Sequence, residues 1–397
     1  MRRIDYWLGV PLCFLLSSIN YFSRFIDVER REDITPKNFL FIKLSEMGSI
    51  VLSYPLISKV RKECPRADIF FLTFRKNKPL LEILDIVPDH NILAINEDSM
   101  RLFIRDTLKV IKRLRKEKID IVFDLEFFSR FTAILSYLSG ASKKVGFYPY
   151  TQEGLYRGNF LTHKVQLNPL LHISKSYFSF WQAAKGKIKS SPNLGGSIKD
   201  NEISVPKLTT SEEEKTKMRK RLKGFGVQED DRLILINLGE GNIPLREWPL
   251  EKFVALAKKL LEEGNNYIVA IGTQSASRKA ELFRQSINSK RVIDFSGKTN
   301  LLELLTLFNL ADILVANDSG LAHLASFANI KKFIIFGPES PQVYLPLSEN
   351  TCIIYSSLPC SPCFSAFNHR NSACQDNKCL KIITPDEVYA LTKTYLQ

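Results

Sequence analysis

No short internal repeat and no low-complexity tract occurs in this 397-residue chain, which removes solenoid and fibrous designs. No zinc-finger, basic-zipper or RNA-recognition signature accompanies its net charge of +14, which comes from 56 Lys and Arg against 42 Asp and Glu. Acids interrupt the basic stretches, as where Glu117 follows Lys109–Lys116. The charge therefore argues for a phosphorylated substrate near anionic lipid, and against nucleic acid. The first strand-like segment runs into Lys43–Ser49, which holds one glycine where a Gly-x-Gly-x-x-Gly would mark a nicotinamide oxidoreductase. No Asp-x-Asp is present, so no metal bridging a diphosphate is demanded. The cysteine count is seven, and an odd number disfavours a fully paired secreted framework. A mostly reducing compartment follows.

What is present is globular in kind. Hydrophobic residues at 45% and charged residues at 25% predict a substantial buried core, and the length suits two domains. The first 34 residues stand apart. Tyr6–Ser23 carries no charge and is rich in aromatics, but Gly9, Pro11, Ser17, Ser18 and Asn20 dilute it. Arginines flank it at 2, 3, 24, 30 and 31, and Ser23-Arg24-Phe25 offers no small-residue cleavage site. Eighteen residues are at the lower limit for spanning a hydrocarbon core. We read residues 1–34 as a segment that lies on or dips into a membrane surface, with a helix packed on the protein itself as the competing reading.

Residues 35–190 alternate strand-like and helix-like stretches. Asn38–Leu44, Ala67–Thr73 and Ile119–Asp124 read as strands, and Met100–Lys118 as a helix. Residues 191–230, with Gly195-Gly196, Pro206 and a charged helix-prone patch at Ser211–Lys223, read as a linker with one surface helix. Residues 231–383 restart the alternation, and a last helix falls within 384–397. Apolar strands separated by helices predict an α/β protein with parallel sheets covered on both faces. Two such domains predict a ligand cleft between them.

The sharpest segment is Asn317-Asp-Ser-Gly-Leu-Ala-His-Leu-Ala325, where a strand turns into a helix. Unpaired N–H groups at a helix start favour an anion such as pyrophosphate, and Gly320 permits close backbone approach. The plain alternative is that Asp318 or Ser319 caps the helix and His323 packs in a core. That segment, with Phe336-Gly-Pro-Glu-Ser-Pro341, resembles the signature of glycosyltransferase family 9, the bacterial lipopolysaccharide heptosyltransferases and their relatives. Arg246-Glu-Trp-Pro249, Phe295-Ser-Gly-Lys-Thr299 and Leu44-Ser-Glu-Met-Gly-Ser-Ile50 agree with further family segments in order and spacing, so the resemblance runs from about residue 38 to 397.

The resemblance implies a GT-B architecture, two Rossmann-like domains with parallel sheets facing a central cleft. The N-terminal one is expected to take the acceptor and the C-terminal one a nucleotide-sugar donor. It carries Asp318, Ser319, Gly320 and His323 into donor contacts and makes Arg246 the cation at the donor phosphates, where it would offset charge on the departing diphosphate. The chemistry implied is inverting and metal-independent. The acceptor would be a lipid-linked or growing envelope saccharide at the cytoplasmic face of an inner membrane.

Two departures qualify the match. The family's N-terminal loop carries Gly-Asp, whose Asp is the expected base, whereas this chain has Gly48-Ser49. A serine hydroxyl is too weak a base at neutral pH. Glu46 becomes the candidate base, with Asp124 and Glu126 as further candidates and Ser49 left on the acceptor side. A non-catalytic nucleotide-sugar-binding or assembly protein is the second reading. After Gly272, where relatives often place a Glu, stand Gln274 and Ser275, so nucleotide and sugar need not match ADP-heptose. Arg130 occupies the family's acceptor-facing basic position, and Asn368-His-Arg370 is polar enough for the acceptor side as well.

The cysteine cluster is Cys360-Ser-Pro-Cys363, then Cys374 and Cys379. Its spacing suits tetrahedral thiolate ligation of zinc, or an iron–sulfur cluster, with His369 as an alternative ligand. Disulfides or free thiols are the competing reading.

Overall fold

Short apolar runs bounded by turn residues become two parallel sheets, and the amphipathic stretches between them become helices. The computed structural model describes residues 2–26, 36–186, 196–239 and 243–396. By contacts the chain divides into two units, Met1–Ile203 and Ser204–Gln397. The boundaries expected at residues 34–35 and 190–191, and the turn beginning at Gly195, lie outside the described residues.

Unit 1 contains β1 (Asn38–Ile42), β2 (Asp68–Phe74), β3 (Ile92–Ile95), β4 (Ile121–Asp124), β5 (Lys143–Phe147) and β6 (His163–Val165). They form one sheet in the order β3-β2-β1-β4-β5-β6, with all pairs parallel. Every residue of β4 is buried, as a strand covered on both faces requires. Phe39, Phe41 and Phe123 line one face, with Trp181 of the helix Ile173–Lys185 packed edge-on to Phe39 and Phe123.

Unit 2 repeats the design with β7 (Arg232–Asn237), β8 (Asn266–Ile271), β9 (Val292–Asp294), β10 (Ile313–Asn317), β11 (Lys331–Phe336) and β12 (Thr351–Tyr355). The sheet order is β12-β11-β10-β7-β8-β9. Helix Leu250–Glu262 lays Phe253, Leu256, Ala257 and Leu260 on this sheet, a spacing of three and four that a 3.6-residue period places on one face. Trp248 is buried in the same core, its indole N–H donating to Ile383 O at 3.1 Å. Helix Glu212–Lys223, from the stretch read as a linker, buries Met218 and Leu222 and packs on Leu301–Leu310, so it is part of unit 2.

In each sheet the chain starts in the middle and builds outward in both directions. Loops leaving neighbouring central strands therefore part to opposite faces and open a crevice at the carboxyl ends of the strands. That crevice falls at β1/β4 in unit 1 and at β7/β10 in unit 2.

The N-terminal residues form two helices, Arg2–Trp7 and Gly9–Ile26. One side of the second packs on helix Arg130–Leu138, through buried Cys13 and partly buried Leu16 against Ala133 and Tyr137. Asn20 donates to Asn159 O at 3.2 Å, and Ser17 accepts from Asn159 N at 2.9 Å. The other side is bare: Leu12, Phe14, Leu15, Ile19, Tyr21 and Phe22 are all exposed. Among the described residues, no helix is long and apolar enough to cross a membrane.

Candidate functional site

Three loops meet at the β7/β10 crevice of unit 2. Arg246, in the turn Pro244–Arg246 after β7, places Nη2 2.5 Å from Asp318 Oδ2 and 3.0 Å from Asp318 O. His323 is buried, its Nε2 3.8 Å from the other carboxylate oxygen of Asp318. Burial opposes the Arg246 charge, but the carboxylates of Asp318 and Glu339 outweigh it and hold the guanidinium above its ordinary pKa. Arg246, Asp318 and His323, separated by up to 77 positions in the chain, are thus brought together. The neighbouring Asn317 side chain accepts from Trp248 N at 2.8 Å, which ties the two loops to each other.

The helix after β10 is shorter than the sequence suggests. It covers Gly320–Leu324 and tightens at once into a 3-10 turn, Ala325–Phe327. Ser319 is its cap, accepting from Ala322 N at 3.3 Å, so the plain reading holds for that side chain. Five residues align few peptide dipoles, and Arg246 is the stronger positive feature here.

The β8 and β9 ends complete the crevice floor. Gly297 N donates to Gly272 O at 2.8 Å. Gly297 sits at φ +70, and a Cβ there would meet Gln274 Cα at 2.8 Å. The Ser-Gly-Lys-Thr turn therefore needs its glycine to lie against Gln274. Lys298 turns away, pairing with Asp294 at 2.6 Å.

In unit 1 the β1/β4 crevice carries the three candidate carboxylates, and the structure sorts them. Asp124 is buried and ion-paired to Arg157, itself buried. Glu126 accepts from Lys43 Nζ at 2.8 Å, Leu44 N at 2.8 Å and Ser45 N at 3.1 Å, fastening the β4 end to the β1 loop. Both are committed to the framework. Glu46 is exposed and stands just before the helix Met47–Glu63, without a side-chain capping bond, at φ 69, ψ 93, a region that a residue with a Cβ enters at a cost of order 1–3 kcal/mol. Its carboxylate accepts from buried Ser49 Oγ at 3.1 Å.

Two expectations are corrected. Arg130, expected on the acceptor side, is held by groups of the N-terminal segment. It is buried beneath the N-terminal helices, with Nη1 3.3 Å from Asp5 Oδ2 and its guanidinium 5.5 Å from the Tyr6 ring. A Cβ on Gly9 would come within 2.9 Å of Arg130 Cβ, so the helix lies directly on it. The four cysteines do not assemble a metal site. Among the described residues, no three His, Cys, Asp or Glu side chains converge in a way that could hold an ion. Cys379 is buried in the unit 2 core, and its thiol is pushed up first by burial and then by the other three cysteines. Cys374 Sγ instead contacts Asp376 O at 3.0 Å.

Glu339 and Arg370 were not singled out from the sequence for this site. Glu339 follows β11, is 1% exposed, and lies 3.0 Å from Arg370 Nε. Its place in Phe336-Gly-Pro-Glu-Ser-Pro341 was the available signal, since an acid after a strand at such a crevice needs a partner.

The sequence profile of glycosyltransferase family 9 (heptosyltransferase) matches residues 107–373. The lipopolysaccharide heptosyltransferase 3 of Escherichia coli K12 is 23% identical over 353 residues, which cover 88% of this chain and 95% of that one. Among solved structures, the ADP-heptose LPS heptosyltransferase II of E. coli is similar with a TM-score of 0.68 and 22% identity, over 90% of this chain and 98% of that one. The family 9 glycosyl transferase of Veillonella parvula DSM 2008 gives 0.70 and 18%, over 91% and 97%. With a profile match over most of its length and two sheets of the Rossmann kind, the chain belongs to glycosyltransferase family 9, the heptosyltransferases, and is a glycosyltransferase of the GT-B fold.

Proposed function

We propose that this protein transfers a heptose or related sugar from a nucleoside-diphosphate donor to a lipopolysaccharide-type envelope saccharide, with inversion and without a metal. The observation that carries the reading is the Arg246–Asp318–His323 group at the β7/β10 crevice. The acceptor hydroxyl attacks the anomeric carbon from the face opposite the diphosphate and gives its proton to Glu46. The bond from that carbon to the diphosphate oxygen breaks, and its electron pair leaves with the nucleoside diphosphate. Arg246 offsets the charge that builds there. Ser49 orients the carboxylate of Glu46, so a Ser–Glu pair takes the place of the family's single aspartate.

ADP-heptose is named for the E. coli relative and is the first donor to try. The test is nucleoside-diphosphate release with a panel of donors and lipid-linked acceptors. Arg246→Ala is expected to lower kcat/KM about tenfold to hundredfold, the worth of a charge-assisted contact, with Arg246→Lys in between. Donor binding without any release would instead support the non-catalytic reading.

We also read the bare side of Gly9–Ile26 as the face that meets an anionic membrane on the acceptor's side, consistent with a net charge of +14. A helix that is half packed and half aromatic suits a position in the headgroup plane. Co-sedimentation with vesicles containing anionic lipid is expected, and Phe14→Ser with Phe22→Ser should lower the bound fraction several-fold. Equal binding by that double variant would remove this face from the proposal.

A further inference from the structure

The unit 2 crevice holds more charge than a single donor-binding arginine explains. Asp318 N donates to Ile335 O at 3.1 Å, so the loop after β10 leans on the end of β11. Four residues beyond Ile335, Glu339 is buried against Arg370. Arg370 is brought there by the cysteine loop, which is stitched to the β11 end. Cys363 N and Phe364 N both donate to Pro338 O at 2.9 Å, and Ser361 Oγ donates to Gly337 O at 2.6 Å. The Arg370 guanidinium lies 5.1 Å from the Tyr344 ring, and its side chain is 12% exposed.

Two guanidiniums and two carboxylates therefore share one crevice. Arg246 draws support from both Asp318 and Glu339 and is opposed by Arg370. An ion pair built only for stability needs one cation on one carboxylate. The carboxylates outweigh that repulsion, so the four charges hold together, and an incoming diphosphate would meet two guanidinium forks at one strand end.

We propose that Arg370, held in place by Glu339, is a second donor-binding cation that contacts the sugar-side phosphate of the nucleoside diphosphate. This rests on the reading of the crevice as the donor site. In this arrangement Glu339 is a positioning residue, and the cysteine loop is the arm that delivers Arg370. A planar, five-donor guanidinium suits a phosphate with two oxygens to offer. Arg246 and Arg370 then hold the diphosphate from the β7 and β11 sides of the β10 end.

Calorimetric titration of the full chain with ADP, UDP and GDP selects the tightest diphosphate. That nucleotide and its monophosphate are then titrated into wild type, Arg370→Ala, Arg370→Lys and Glu339→Gln. Arg370→Ala is expected to weaken the diphosphate about tenfold to hundredfold and to leave the monophosphate within about twofold. Arg370→Lys, which keeps the charge and loses the fork, should fall between, as should Glu339→Gln. A merely structural pair would weaken both nucleotides alike or neither, and either result overturns the proposal. If Arg370→Ala does not fold, the lysine variant carries the same comparison. Binding of none of the three diphosphates by wild type would overturn the donor-site reading and this inference with it.

Discussion

Glu46→Gln is expected to lower sugar transfer by about 10²–10⁴-fold while donor affinity stays at the wild-type level. Glutamine keeps the shape and the hydrogen bond from Ser49 but cannot take a proton from the attacking hydroxyl. The expectation rests on elimination within one crevice. Asp124 is enclosed with Arg157, and Glu126 is occupied by Lys43 and two backbone N–H groups, which leaves Glu46 as the exposed carboxylate of the three. The strained backbone at Glu46 points the same way, because a cost at φ 69 persists where the surrounding structure requires that placement. Measuring kcat and donor Kd on one preparation separates the outcomes. Transfer at the wild-type rate would remove Glu46 as the base, and a parallel loss of donor affinity would show that the loop had been disturbed. Ser49→Ala belongs in the same series, with a smaller fall in kcat because it leaves the base present but less well aimed.

Removing the carboxylate of Asp124 should act on stability, not on chemistry. Asp124→Ala is expected to cost roughly 3–5 kcal/mol of unit 1 stability, the range for breaking a buried ion pair from one side. Arg157 is 1% exposed, and burial pushes its guanidinium down to about 10, so it is still charged at neutral pH and is costly to leave without its partner. Its other hydrogen-bond partners, Glu126 O, Phe147 O and Thr132 Oγ1, are neutral groups at 3.3, 3.5 and 3.5 Å. Urea denaturation followed by tryptophan fluorescence reads the effect, since Trp181 packs on Phe39 and Phe123 of the same sheet. Asp124→Leu combined with Arg157→Met should recover most of the loss, because replacing both charges removes the desolvation cost as well as the attraction. Were Asp124 the base, Asp124→Asn would instead abolish transfer in a protein of unchanged stability.

The strands of both units were legible where apolar runs were long. Asn38–Leu44 and Ala67–Thr73 became β1 and β2, and the helix Met100–Glu117 fell close to where its periodicity put it. Strands β3, β5, β6 and β12 were not read. β6 has three residues, and β5 opens on Lys143-Lys144, whose charges hide it from a hydrophobicity pattern. Lys144 is nonetheless buried, a state reached only once the strand has docked, and its Nζ donates to the nearby Ala141 O at 2.6 Å. The cysteine spacing misled for a related reason. A Cys-x-x-Cys defines two ligands locally, whereas the other two thiols must be steered into place by the fold, and here one points into the core and another toward a carbonyl.

By itself, the sequence determined that the chain is two alternating α/β halves with a polar turn after the first strand of each, because apolar periodicity and turn chemistry act over a few residues. It also singled out Arg246, Asp318 and His323, which the fold brings together, since they lie in segments with recognisable local form. Only the tertiary structure decided which charges are spent on the framework. Arg130 is taken by Asp5, 125 positions away, Glu126 by Lys43, 83 positions away, and Asp124 by Arg157, 33 positions away. Pairing of this kind depends on which strand ends become neighbours. Desolvation makes each buried charge take a partner, but it leaves no periodic mark in the chain to say which one.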